Sequence, residues 1–392
     1  MVYKRKIYQD LLAHAQTPMV TVLTGMRRTG KTTLVSQLLK DISNKNSIFL
    51  DLQRPDSREL FEQKNYDNIY EALVARGMSQ DGSMVVALDE IQLAPDCPSA
   101  IKYLYDHKGV KFIVTGSSSY YLKNLFSESL AGRKKIFELF PLDFGEFLLF
   151  RGVRSVPANW QIGMFDKDEY NRLSAYYEEF IRFGGFPQVV LAGSEVTKKD
   201  ILLDIMSSYV NIDIRSLADF SDERNLFSLA KLLATRAGNR IEYNSLAKQI
   251  GLSRQTVKNY ITFFENTYLI HTVPVYTKNA GREIVKARKL YFCDTGLANT
   301  LAELSSGAQF ENTIYNQIVK LGTVQYYALK TGREIDFVLD GRLALEVKET
   351  PTDGDLSVLR RLSETAGIKE TILVSRNESP LFENYIWGGS IQ

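Results

Sequence analysis

Residues Gly25-Met26-Arg27-Arg28-Thr29-Gly30-Lys31-Thr32 have the types and spacing needed to hold a chain of phosphates. They satisfy G-x-x-x-x-G-K-[ST] at every fixed position. Glycines let backbone N–H groups wrap phosphate oxygens, Lys31 reaches the β- and γ-oxygens, and the Thr32 hydroxyl can ligate Mg²⁺. Thr33 then opens a helical pattern running to Lys40, whose dipole favours an anion. The chemistry implied is binding of ATP together with Mg²⁺.

Hydrolysis needs a second set of groups. Met84-Val85-Val86-Ala87-Leu88 is a buried-strand run that ends in Asp89-Glu90. Asp89 would complete the Mg²⁺ shell, and Glu90 would polarise the attacking water. The bland alternative is that the two carboxylates cap the next helix, since acids favour helix N-termini. A third strand run, Phe112–Thr115, ends in Gly116-Ser117-Ser118-Ser119. Ser117 is the candidate γ-phosphate sensor there, with a plain Gly/Ser turn as its alternative.

These groups need an open α/β sheet to position them. Apolar β-rich runs recur at Met19–Leu23, Ser47–Leu52, Met84–Leu88, Lys111–Thr115 and Lys134–Leu139, separated by helix-like stretches. Residues 1–150 therefore read as one P-loop ATPase domain. From 151 to about 230 the pattern turns helical and aromatic, interrupted by Gly184-Gly185-Phe186-Pro187, and reads as a lid or connector.

Residues 231 to 289 hold eleven Lys or Arg against three Glu and no Asp, a local excess hidden by the chain's overall +2. Within it, Ser245–Ile250 resembles a first helix, Gly251-Leu252-Ser253 a turn, and Ser253–Phe264 a second helix with a serine cap. Arg254, Gln255, Lys258 and Asn259 fall on or near one exposed face, while Val257, Tyr260, Ile261 and Phe264 can pack inward. A β-like run at Tyr268–Tyr276 and a basic stretch to Lys289 resemble a wing. The expected module is a winged helix-turn-helix over 231–285 that binds DNA, with protein docking as the alternative.

Residues 286–392 read as a smaller α/β domain, with a helix at Glu311–Leu321 and strands at Gln325–Leu329, Glu334–Leu339, Leu343–Val347 and Thr371–Val374. Asp336 lies ten residues before Glu346-Val347-Lys348, across a turn at Asp340-Gly341, and Glu311 could join them. Two carboxylates that bind Mg²⁺ beside a lysine are the logic of metal-assisted phosphodiester cleavage. The arrangement resembles the PD-(D/E)xK nuclease superfamily, with Ile335 standing where that motif has proline. A nuclease-like fold used only for binding is the alternative.

Taken together, the P-loop, Asp89-Glu90-Ile91-Gln92, Thr115-Gly116-Ser117-Ser118, Leu130-Ala131-Gly132-Arg133 and Pro141-Leu142 with Phe144-Gly145-Glu146-Phe147 resemble a widespread archaeal and bacterial AAA+-type ATPase family. The resemblance covers nearly the whole chain and implies an ASCE-type parallel sheet. It also implies that Arg133 is an arginine finger or sensor, against the alternative of a surface salt bridge. A finger that reaches a neighbour's ATP requires a homo-oligomer.

Composition narrows the class. The 392 residues are enough for two to four domains, and 44% hydrophobic with 24% charged is ordinary for a soluble chain. No apolar run approaches a membrane span, and the Lys/Arg-rich N-terminus lacks a signal peptide's apolar stretch, so a cytoplasmic protein is expected. Cys97 and Cys293 cannot form a disulfide framework, and His14, His107 and His271 have no zinc spacing. Three functions stay open: a DNA-coupled ATPase with or without nuclease activity, an ATP-driven switch, and an assembly protein whose C-terminal domains bind proteins.

Overall fold

The computed structural model describes residues 3–42, 45–117, 130, 132–155, 160–161, 164–214, 223–277 and 286–392. Ser118, Ser119, Ala131 and the stretch 278–285 of the expected wing lie outside them. The chain divides into two compact units, one built on Met1–Phe140 and the other on most of Pro141–Gln392.

In the first unit the order is α1 (Tyr8–Ala15), β1 (Val20–Thr24), α2 (Lys31–Asp41), β2 (Ser47–Asp51), α3 (Pro55–Phe61), α4 (Tyr66–Ala75), β3 (Val85–Asp89), α5 (Cys97–Lys108), β4 (Lys111–Gly116) and β5 (Lys134–Glu138). The strands form one parallel sheet in the order β2-β3-β4-β1-β5. Every residue of β1, β3 and β4 is buried, because helices cover both faces of a parallel sheet. Alternation divides the side chains between two cores. Val20, Val22, Val86 and Leu88 join the core that includes α4 and α5, whereas Leu23, Val85 and Ala87 meet α1 and α2. Leu34, Val35 and Leu38 anchor α2, each contributing roughly 1.5–3 kcal/mol by burial. That anchorage fixes the helix whose first residue is Lys31.

Parallel strands put all their C-terminal ends on one edge. The P-loop leaves β1 there, Asp89 ends β3 there, and Ser117 follows β4. Because β4 lies between β1 and β3, Ser117 stands between the P-loop and the acidic pair. Arg133 instead precedes β5 and its carbonyl accepts from Val20 N at the start of β1, so it lies at the opposite edge.

The second unit continues with α6 (Phe144–Phe150), α7 (Lys167–Phe183), α8 (Pro187–Leu191), α9 (Glu195–Ser208), α10 (Glu223–Ala234), α11 (Tyr243–Ile250), α12 (Arg254–Asn266), β6 (Ile270–Val273), β7 (Lys289–Phe292), α13 (Thr295–Leu301), α14 (Ser306–Ile318), β8 (Val324–Ala328), β9 (Glu334–Leu339), β10 (Leu343–Lys348), α15 (Asp353–Ala366), β11 (Glu370–Ser375) and β12 (Ile386–Trp387). Most residues from Pro141 onward cluster together, including most of the three modules read from sequence at 151–230, 231–285 and 286–392. A capping box of Asp143 and Glu146 starts α6. Gly251 ends α11 with φ +69°, a left-handed conformation that lets the chain reverse into α12. Strands β6 and β7 pair antiparallel.

Strands β8 to β12 form a second sheet, in which β9 and β10 are an antiparallel hairpin and β10, β11 and β12 run parallel. Asp340 and Gly341 both have positive φ, 52° and 67°, as the expected two-residue turn requires. Among the described residues no helix is long and apolar enough to cross a membrane.

Candidate functional site

The P-loop is shaped by close backbone approach. Gly25 has φ +146°, and a Cβ there would sit 2.2 Å from the Leu139 carbonyl oxygen. Gly30 has φ +101° as it enters α2, and Arg28 holds φ 63°, which is strained for a residue with a side chain. Thr29 Oγ1 donates to Met26 O at 2.9 Å, closing the loop on itself. Buried Arg5 staples it from outside, donating to Thr29 O at 3.0 Å and Phe140 O at 2.8 Å. Lys31 Nζ donates to the carbonyls of Gly25 and Met26 at 2.8 and 2.9 Å, which keeps the ammonium over the loop. Thr32 and Thr33 are the next two residues of α2 and both are exposed.

The acidic strand end meets this loop directly. Thr32 Oγ1 donates to Asp89 Oδ2 at 2.7 Å, and Thr115 Oγ1 donates to Asp89 Oδ1. Burial pushes the Asp89 carboxyl above its ordinary range and neighbouring Glu90 adds to this, against hydrogen bonds from Thr115 and Thr32. An oxygen-only pair, one carboxylate and one hydroxyl, with the carboxylate hydrogen-bonded only by neutral hydroxyls, fits a hard dication such as Mg²⁺.

Glu90 has φ 57°, and its amide donates to Thr115 Oγ1 at 3.1 Å. Its carboxylate accepts from Gln92 Nε2 and lies 3.7 Å from Arg27 Nη1, with both side chains about nine-tenths buried. Gln92 Nε2 also donates to Ser117 Oγ at 3.0 Å. The proposed base, the proposed sensor and a P-loop arginine therefore form one network. Sequence reading selected Glu90, Ser117 and Arg27 but missed Gln92, Thr115 and Arg5. Gln92 carried a signal, since it lies two residues beyond the base at a strand end.

Arg133 does not join this site within the chain. Its Nε donates to Asp106 Oδ1 at 2.9 Å, a part-exposed pair at the N-terminal edge of the sheet. Parallel pairing of β5 explains this: the residue before a parallel strand lies a full strand length from the edge that holds the phosphates. Within this subunit Arg133 forms the salt bridge that was its alternative reading.

Residues 17–148 match the AAA domain family. The sheet and its P-loop are similar to those of AAA-type ATPase domains. Residues 174–308 match a domain of unknown function, DUF8612. An uncharacterised protein of Methanocaldococcus jannaschii is 25% identical over 363 residues, covering 87% of this chain and 78% of its own length. Another from Haemophilus influenzae is 26% identical over 377 residues, covering 91% and 90%. Among solved structures, a STAND signal-transduction ATPase with a tetratricopeptide repeat sensor from Pyrococcus horikoshii aligns with TM-score 0.32 and 13% identity, over 81% of this chain. The chain spans 45% of that structure's length.

In the second unit the expected carboxylates do converge. Asp336 and Glu346 are brought opposite one another by the β9–β10 pairing, Val347 N donates to Asp336 Oδ2 at 3.0 Å, and Lys348 Nζ donates to Glu346 Oε1 at 2.7 Å. A residue counted only as part of the wing changes their chemistry. Lys289, 1% exposed on β7, places its ammonium 2.8 Å from Glu334, 3.3 Å from Glu311 and 3.6 Å from Asp336. Tyr291 OH donates to Glu311 Oε1 at 2.6 Å, and Arg240 donates to Glu334 Oε2 at 2.7 Å. Desolvation alone would lower the Lys289 pKa, but the three carboxylates outweigh it and raise it. Burial, reinforced by Asp336, pushes both Glu311 and Glu346 up to about 7. Among the described residues no group of three or more His, Cys, Asp or Glu is arranged to hold a metal ion. Where the sequence suggested a metal, Lys289 pairs with Glu311, Glu334 and Asp336, and Lys348 pairs with Glu346, so the acids form an ion-pair knot.

The helix-turn-helix residues lie where periodicity put them. Val257, Tyr260, Ile261 and Phe264 are buried, Arg254, Gln255 and Asn259 are exposed, and Lys258 is half-buried. Gln255 Nε2 donates to Asn259 Oδ1 at 2.9 Å, so these two amides engage each other.

Proposed function

We propose that the chain is a Mg²⁺-dependent ATPase that couples turnover to DNA held by its winged helix-turn-helix. The observation that carries the ATPase reading is the Thr32–Asp89–Thr115 chain of hydrogen bonds, which joins the P-loop to the acidic strand end. Lys31 and the first amides of α2 hold the β- and γ-phosphates of ATP. Thr32 and Asp89 would hold Mg²⁺, which would offset charge on the phosphates. Glu90 accepts a proton from the attacking water, and Ser117 contacts the γ-phosphate while Gln92 ties it to Glu90. As an arginine finger, Arg133 acts on the ATP of a neighbouring copy in a homo-oligomer. DNA coupling is supported by the basic excess over 231–289 and by the exposed Arg254 face. Nuclease chemistry at Asp336, Glu346 and Lys348 is disfavoured, because Lys289 already pairs with Asp336 and Lys348 with Glu346.

One observation favours a second reading, an ATP-driven switch with slow turnover. Arg27 on the P-loop engages the Glu90 carboxylate, which must be released to orient water. Steady-state ATPase rates with Mg²⁺, measured without DNA and with single-stranded, duplex and branched DNA, separate the two. Glu90→Gln is expected to bind ATP as wild type does and to lose at least about 10²-fold in turnover. Wild-type turnover by that variant would overturn the assignment of the base, and a rate indifferent to every DNA form would favour the switch.

A further inference from the structure

A cleft of about 620 Å³ opens beside the helix-turn-helix, away from the knot around Lys289. Arg254, Lys258, Lys286 and Arg288 line it, with Glu242 the single carboxylate. The first turn of α11, from Tyr243 to Ser245, and Arg254 at the start of α12 both face this space, so two helix N-termini add their partial positive charge. Lys258 Nζ lies 5.7 Å from the centre of the Tyr243 ring, which holds that cation at the wall. Arg288 is steadied by its Nη1 bond to Thr272 Oγ1 at 3.1 Å. Lys286, Arg288 and Arg254 are exposed.

We infer that this cleft is a docking site for the phosphodiester backbone of a nucleic acid, entered between α11, the start of α12 and the segment that leads into β7. The inference rests on the DNA reading above and changes where contact is made. Gln255 and Asn259, the amides best suited to base edges, bond to one another and do not line the cleft. The lining instead offers cations, a serine hydroxyl, an asparagine amide and a tyrosine, a set that grips phosphates and reads no base sequence. Lys286 and Arg288 become contact residues that the helix-turn-helix pattern did not single out.

The test is fluorescence anisotropy of labelled duplex and single-stranded oligonucleotides with the full chain, titrated over about 50–200 mM salt. Four lining cations predict a slope of log K against log salt of roughly −3 to −4. Arg254→Ala, Lys286→Ala and Arg288→Ala should each reduce it by about 1, equally for oligonucleotides of different sequence. Lys248→Ala, an exposed lysine of α11 outside the cleft, should leave the slope unchanged. Thermal melts confirm that each surface variant is folded. No DNA binding by wild type would overturn both this site and the DNA reading. Binding that ignores the cleft variants, or that Lys248→Ala weakens as much, would overturn the site alone. A glutamate homopolymer bound as tightly, and with the same losses in the variants, would make the occupant an acidic protein and also overturn it.

Discussion

Replacing Lys289 by methionine tests whether the C-terminal carboxylates are held by an ion pair. Methionine keeps most of the volume and removes the charge. At the observed 2.8, 3.3 and 3.6 Å, and at an effective dielectric near 20, each contact is worth roughly 5 kcal/mol before desolvation. Desolvating the ions offsets much of that sum, but removing one partner leaves the others buried and unpaired, which costs about 3–5 kcal/mol. Arg240 still reaches Glu334, so the exposed deficit falls on Glu311 and Asp336. The pH dependence has a definite sign. Glu311 and Glu346 have folded pKa values near 7, above the ordinary 4.5, so protonation favours the fold and that contribution is lost as pH rises from about 4.5 through 7. Lys289, with a raised pKa, keeps its contribution throughout this window and would lose it only above 10.5. The Lys289→Met defect should therefore be larger at pH 8 than at pH 5, where Glu311 is protonated and no longer needs the ammonium. Urea denaturation followed by fluorescence of Trp387, buried in the same sheet, reads this directly. Adding Glu311→Gln should restore part of the loss at pH 8. A defect under about 1 kcal/mol, or one independent of pH, would refute the knot.

Two further changes probe other parts of the molecule. Gly25→Ala would drive a Cβ to 2.2 Å from Leu139 O, prising β1 from β5 at the P-loop; a loss of about 1–3 kcal/mol and of the thermal shift given by Mg²⁺-ATP is expected, read by melting with and without nucleotide. Asp294 caps α13 from a fully buried position, and burial pushes its carboxyl up to about 6. Its contribution to folding is therefore lost as pH rises from about 3.8 through 6, and Asp294→Asn should gain on wild type by roughly 3 kcal/mol between pH 4 and pH 7 in parallel urea titrations.

Where function depends on consecutive residues, the sequence was readable. The five strands of the AAA-type sheet lie within one residue of their apolar runs, because a strand buried on both faces admits little else. The Asp340-Gly341 turn was legible for a similar reason, as few residues accept two successive positive φ angles. Pairings across the fold were not. Lys289 looked like one more cation in a basic run, and only the return of β7 beside β9 shows that its charge is spent inside the unit. Arg5 looked like part of a basic N-terminus, yet it holds the P-loop carbonyl of Thr29. The Arg133 motif did not say which end of the sheet the residue occupies, and the pairing of β5 places it before that strand.

The two acidic clusters differ in what neutralises them, and that difference bears on where the proposed Mg²⁺ is held. Asp89 receives its hydrogen bonds from Thr32 and Thr115, which are uncharged and can turn toward a ligand. Lys31 donates its hydrogen bonds to loop carbonyls, and Arg27 pairs with Glu90 rather than Asp89, so among the described residues Asp89 accepts no hydrogen bond from a cation. Around Asp336 the demand is already met by Lys289, Arg240 and Lys348, each covalently fixed in the fold. A dication entering there would have to displace a buried ammonium whose own desolvation has already been offset by three carboxylates. The proposed Mg²⁺ is therefore better accommodated at the nucleotide site than beside Lys289.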